Sequence, residues 1–184
     1  KVFVVDNRRI SVTQFQSVKD AQMLAAMGMD GTQIKKRLEE TAADSVIFIT
    51  VDTLKYLKKG GRITPAAAAL GTLIRLKPVL TIQGEKLDAF AKARTMKQAR
   101  SMMITAITRD LENRFDDMTG EKTYIDVAHT DNDEMAQELA AELRELFPET
   151  EVRVEPLSLS VACHIGPGAL AIAATKKLEI GSLL

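Results

Sequence analysis

Apolar residues open the chain in an unbroken run, Val2-Phe3-Val4-Val5, which predicts a buried strand from the first residues onward. A helical pattern follows over residues 13–27 and stops at Gly28. Asp30 and Thr32 stand as candidate caps of a second helix reaching residue 42, with Ile34 and Leu38 four apart on one face. SVIFITV at 45–51 is a β-branched run and predicts a second buried strand, and residues 54–59 form a short helical turn ending at Gly60-Gly61. Thr64-Pro65 marks a strong helix start, because proline in the first helical position forfeits no hydrogen bond; AAAALGTLIRL continues it as far as Pro78.

The second half reads as a hairpin of residues 79–82 and 86–92 turning near Gln83-Gly84, then the longest helix at 95–116 and a strand at 124–128. Residues 131–147 are amphipathic, with Met135, Leu139, Leu143 and Leu146 on the inner stripe and Asp131 as the expected cap. A strand at 151–154 and a further candidate strand at 158–163 follow. Gly166-Pro167-Gly168 then reads as the opening of a last apolar helix, ALAIAATKKL. Strands and helices alternate around a central hairpin, so the expected fold is α/β, with a mixed, substantially antiparallel sheet covered by helices. Because the chain starts at Lys1, without Met, in a strand that needs neighbours, it is expected to be a piece of a longer protein.

Charge narrows the functional classes. Twenty-five Lys and Arg balance twenty-five Asp and Glu, so no global field draws the chain to nucleic acid or anionic membrane, and the scarcity of aromatics argues against a base-stacking platform. One cysteine, Cys163, excludes an intrachain disulfide and fits a reducing cytoplasm. No apolar run approaches the roughly 20 residues of a membrane span. With His129 and His164 the only histidines and no carboxylate spacing to match, no metal site is expected, and there is no nucleophile elbow, Walker loop or dinucleotide fingerprint.

Two segments set glycine before an expected helix with a basic side chain alongside. In Lys58-Lys59-Gly60-Gly61-Arg62-Ile63-Thr64-Pro65, free backbone amides and a helix N-terminus suit an anion, and Arg62 adds a bidentate hold; the alternative is a plain glycine connection with solvated cations. In Cys163-His164-Ile165-Gly166-Pro167-Gly168, His164 either donates to an anionic group or is satisfied by backbone at a strand end. Arg94 stands between hairpin and helix, where a cation opposes the dipole, so it either has an anionic partner or is solvated. The small residues 66–69 with Gly71 permit either close helix packing or a narrow apolar channel.

Four ordered blocks carry a resemblance. DTLKYLKKGGRITPAAAALG is similar to the Leu-x-x-Leu-x-(Lys/Arg)-Gly-Gly-Arg block of the DegV family, and LKPVLTIQGEKLDAFAKARTMKQA resembles its Lys-Pro, hairpin, Lys-x-Arg block. AHTDNDEMAQEL resembles the family's His-x-(Asp/Asn) segment, and CHIGPGALAIA its closing His-x-Gly-Pro-Gly-Ala signature; Cys163 and Ala171 depart from the family's usual small hydroxyl residue and glycine.

The resemblance implies a cytoplasmic bacterial protein that is not an enzyme, holds no cofactor and has no catalytic residue of its own. Its full-length form would bury a long-chain fatty acid and present the carboxylate to a separate ATP-using kinase subunit for acyl-phosphate formation. Residues 45–184 would be the family's C-terminal α/β domain, and residues 1–44 a remnant of, or link to, its first lobe. Arg62, Arg94, His164, Gly166 and Gly168 would bind the ligand, and Gly60, Gly61 and Lys97 would face the kinase or serve structure. Without the first lobe's hydroxyl-rich loops the chain is expected to bind fatty acid weakly or not at all, and to self-associate or lie against a neighbour through bared apolar surface. Two other readings stand beside this one: an enzyme in which His164 is a general acid and Arg62 an anion clamp on a phosphorylated or carboxylated metabolite, and a ligand-free interaction domain.

Overall fold

The computed structural model describes residues 1–70, 76–83 and 86–179. In chain order these form α1 (Ser11–Ala26), α2 (Gly31–Glu40), β1 (Ser45–Thr50), α3 (Lys55–Gly60), α4 (Pro65–Leu70), β2 (Lys77–Gln83), β3 (Lys86–Ala93), α5 (Met96–Arg114), β4 (Thr123–His129), α6 (Asp133–Leu146), β5 (Val152–Pro156), α7 (Leu159–Ile165) and β6 (Leu170–Lys176). The six strands make one open sheet in the order β3-β2-β1-β6-β4-β5. Every neighbouring pair is antiparallel except β4 with β5, so the sheet is mixed and substantially antiparallel, as the central hairpin requires.

Alternation along the strands separates two cores. Val46 and Phe48 of β1 with Leu170, Ile172 and Ala174 of β6 face α5 and α6, where Met103, Ile107, Leu111, Leu139 and Leu143 are fully buried. Ile47 and Ile49 with Ala171 and Ala173 face the opposite side, under α3, α4 and α7, and Leu57, Ile63 and Ala67 complete that layer. α1 lies beside them on the same side of the sheet, against β6.

Several local expectations hold for visible reasons. The Asp30 carboxylate accepts from the amides of Thr32 and Gln33 at 2.8 and 2.9 Å, capping α2, and the Thr95 hydroxyl does the same for α5 through the amide of Gln98. Others are overturned. Residues 2–5 form no strand and carry no ladder partner among the described residues, and Val2 and Val4 are exposed; Phe3 instead lies on Gly31. The supposed strand at 158–163 is the helix α7, and the supposed closing helix is the strand β6. Asp131 is left-handed (φ +48°) and precedes the cap position, which Asn132 occupies. Leu146 points outward at 51% exposure while Phe147 takes the core position. Residues 71–75 of the helix after Pro65, and the hairpin turn at 84–85, lie outside the described residues.

Candidate functional site

The face of the sheet beneath α3 and α7 holds a pocket of about 420 Å³. Its floor is Ile47 and Ile49 of β1, Ile82 of β2, Leu87 of β3, Ala128 of β4, and Ala171 and Ala173 of β6. Register explains the depth. β6 lies between β1 and β4, and its two alanines stand opposite Ile49 and Ile47, with Ala171 also opposite Ala128. A central strand thus turns its large residues to the α5 side and its small ones here. Leu57, Val161 and Ile165 of α3 and α7, with Leu157 just before α7, form one wall, and residues 8–12 form the other.

Arg62 and His164 both line this pocket, although 102 positions separate them in the chain. Two glycine segments bring them together. A Cβ on Gly60 would stand 3.0 Å from His164 Nδ1, and one on Gly166 only 2.5 Å from the Tyr56 ring, so α3 and α7 interlock with each glycine receiving the other helix's aromatic side chain. Gly61 (φ +67°) ends α3 in the left-handed conformation and turns the chain outward, and Arg62 then runs alongside β3: Leu87 donates its amide to Arg62 O, and Thr64 donates its own to Leu87 O. The Arg62 guanidinium donates to Gly60 O at 2.5 Å and is exposed at the rim.

The expected cradle of free amides is not there. Gly61 and Arg62 donate to Lys58 O and Leu57 O, Gly166 to Ala162 O, and Gly168 to Thr130 O. The Thr130 hydroxyl takes the amide of Ala169 and donates to Gly166 O, and the Asn132 side chain holds Gly168 O. Gly166-Pro167-Gly168 leads into a strand rather than a helix; Gly166 shapes the α3–α7 junction, Gly168 stands against Asp52, and neither lines the pocket. His129 is a separate group, its Nδ1 accepting from the amide of Asn132 at 3.2 Å. Any anion at the rim therefore meets side chains.

Arg94 does not join Arg62 and His164. It is exposed just beyond the far end of β3, seven positions from Leu87, outside the pocket lining. Its amide donates to Gln98 Oε1, and Lys97 is exposed in the first turn of α5. Three cations that the sequence does not single out also line the pocket, Arg8, Arg9 and Lys86. None belongs to a glycine motif, so only the tertiary fold singles them out.

Beneath α1 lies a polar layer. Arg9 donates to Thr41 O at 2.7 Å and stands 3.6 Å from the Asp20 carboxylate, Gln16 donates to Asp20, and Arg153 donates to both Gln16 and Asp126. Burial pushes the Asp20 and Asp126 carboxyls above their usual range, against the pull of Arg9 and Arg153, and holds Arg9 below its own. At the pocket edge, the Thr64 hydroxyl and the amide of Ala89 hold Asp88 below the ordinary carboxylate value. Among the described residues no three metal-ligating side chains cluster, and no helix is long and apolar enough to cross a membrane.

A DegV domain-containing protein of Clostridium perfringens, CPE0026, is 32% identical over 170 residues, which are 92% of this chain and 56% of the relative. The solved DegV family protein from Thermus thermophilus, described for its fatty acid binding, superposes with a TM-score of 0.83 at 31% identity, over 96% of this chain and 61% of that one. DegV of Bacillus subtilis, described as a fatty acid binding protein, gives 0.81 at 27% identity, over 95% and 60%. The chain thus spans little more than half the length of the curated relative. The family model described as an uncharacterised protein of the DegV family matches residues 1–177, and the chain belongs to the DegV family.

Proposed function

We propose that this chain carries a long-chain fatty acid, with the tail in the pocket beneath α3 and α7 and the carboxylate at the rim formed by Arg62 and His164. One observation carries the reading: seven apolar side chains from five strands floor a pocket whose rim holds two anion-seeking groups delivered by separate motifs. A tail of some fourteen methylenes offers on the order of 11 kcal/mol gross at ~0.8 kcal/mol each, much of it cancelled by immobilisation. The head group then sets orientation more than affinity.

In this reading the protein is a carrier, not an enzyme. It presents the carboxylate to a separate ATP-using kinase subunit, and residues 1–44 link to a further lobe that supplies more of the carboxylate's donors. Two family relatives described as fatty acid binding support the ligand class.

Lipid extraction and mass spectrometry of the purified chain, with titration by a fluorescent fatty acid, test the proposal. Saturable binding displaced by palmitate is expected. Absence of saturable binding together with lipid-free protein defeats it.

A further inference from the structure

The rim carries more positive charge than the two motif residues supply. Arg8 and Lys86 line the same pocket from opposite sides, Arg8 from the segment before α1 and Lys86 from the first position of β3. Lys86 sits beside Arg62, because the amide of the next residue, Leu87, donates to Arg62 O. Arg9 also lines the pocket, but its guanidinium is turned into the polar layer beside Asp20. Among the described residues, Asp6 is the one carboxylate in the lining.

Among the described lining residues, cations outnumber carboxylates. The chain as a whole is electrically balanced, and many of its cations, including Lys35, Lys77, Arg100, Arg114 and Arg153, sit within 4 Å of a carboxylate. Arg8, Arg62 and Lys86 make no ion pair among the described residues. Arg8 is moreover held at φ +55°, a left-handed conformation that a non-glycine residue keeps only when its surroundings impose it, and such residues gather at ligand sites. Three cations without an ion pair among the described residues stand around one apolar opening and repel one another, and an anion between them relieves that repulsion.

We infer that Arg8 and Lys86 are head-group selectivity residues: they make the pocket favour a lipid with an ionised head over one of the same length with a neutral head. The inference rests on the fatty-acid reading above and adds two positions to it. Both cations are exposed, so their field is strongest at low ionic strength and fades as salt shortens the screening length.

Displacement of a fluorescent fatty acid by palmitate and by hexadecanol, at neutral pH and low salt, separates charge from tail. The wild-type chain is expected to take palmitate well ahead of hexadecanol. Arg8→Gln and Lys86→Gln are each expected to lower the palmitate-to-hexadecanol preference by about 3- to 10-fold, mainly by weakening palmitate, with the loss shrinking at high salt. An unchanged preference in both variants overturns the inference, as does an equal loss for the acid and the alcohol, which marks a structural role. If the wild-type chain takes neither ligand, the fatty-acid reading itself falls and this inference with it.

Discussion

The His164 imidazole occupies the space that a side chain on Gly60 would need, with Nδ1 only 3.0 Å from where that Cβ would stand. The Tyr56 ring does the same at Gly166, at 2.5 Å, but there the backbone is also left-handed, with φ +78° and ψ 179°. The two glycines therefore fail differently when filled. Gly166→Ala meets both a ring and a conformation open almost only to glycine, and is expected to cost about 2–5 kcal/mol. Gly60 has no such backbone demand, so Gly60→Ala is expected to leave stability within about 1 kcal/mol while displacing His164 and weakening acid binding. Denaturant midpoints and a fatty-acid titration of both variants check the contrast; equal losses of stability would show that the imidazole cannot yield.

Asp126 gives a prediction in pH. Its carboxyl is raised because burial outweighs the Arg153 ion pair, so the folded state holds the proton more readily than the unfolded chain does. Stability from this group is then fully present below the unfolded value of about 3.9 and declines as pH rises through the higher folded value. The cost of Asp126→Asn, measured as the midpoint difference from wild type, is expected to be largest at the acid end and to shrink toward neutrality. Growth of that cost with pH would mean that Arg153 wins over burial.

The two faces of β6 make a third test. Ile172 is fully buried against α5, so Ile172→Ala is expected to cost about 2–5 kcal/mol with little effect on ligand. Ala173 faces the pocket, so Ala173→Leu has space to enter and is expected to keep the fold while reducing the affinity for long acyl chains more than for short ones. A calorimetric melt and a chain-length series read the two effects. Undiminished binding of long chains by Ala173→Leu would place the tail elsewhere.

That same strand shows where the sequence was legible and where it was not. LAIAAT carries a period-two pattern, large residues on one face and small on the other, yet alanine favours a helix and Gly-Pro-Gly resembles a helix start, so local propensity concealed the alternation. The hairpin of β2 and β3, the strand β1 and the helix α5 were readable because long, strongly patterned runs leave little choice. Residues 2–5 mislead for the opposite reason: a β-branched run is only half of a strand, and the partner that completes the ladder is not in the local sequence. Within the site, Arg62 and His164 were visible because each stands beside glycines. Arg8 and Lys86 were not, since a lone cation in a sequence looks the same whether it meets solvent or a pocket.

Arg94 provides the last test, because the sequence grouped it with Arg62 and the fold sets them apart. Arg62 is tied by backbone to Leu87 at one end of β3, and Arg94 stands seven residues on, about 20 Å away at strand spacing. That span is too great for both guanidinium groups to hold one carboxylate. Arg62→Ala is therefore expected to weaken palmitate binding by about 3- to 10-fold, the effect of losing one exposed charge partner. Arg94→Ala is expected to leave palmitate affinity within about twofold, since Arg94 lies outside the pocket lining. Equal loss of palmitate binding in the two variants would mean that the carboxylate lies at the Arg94 end of the sheet and not at the Arg62–His164 rim.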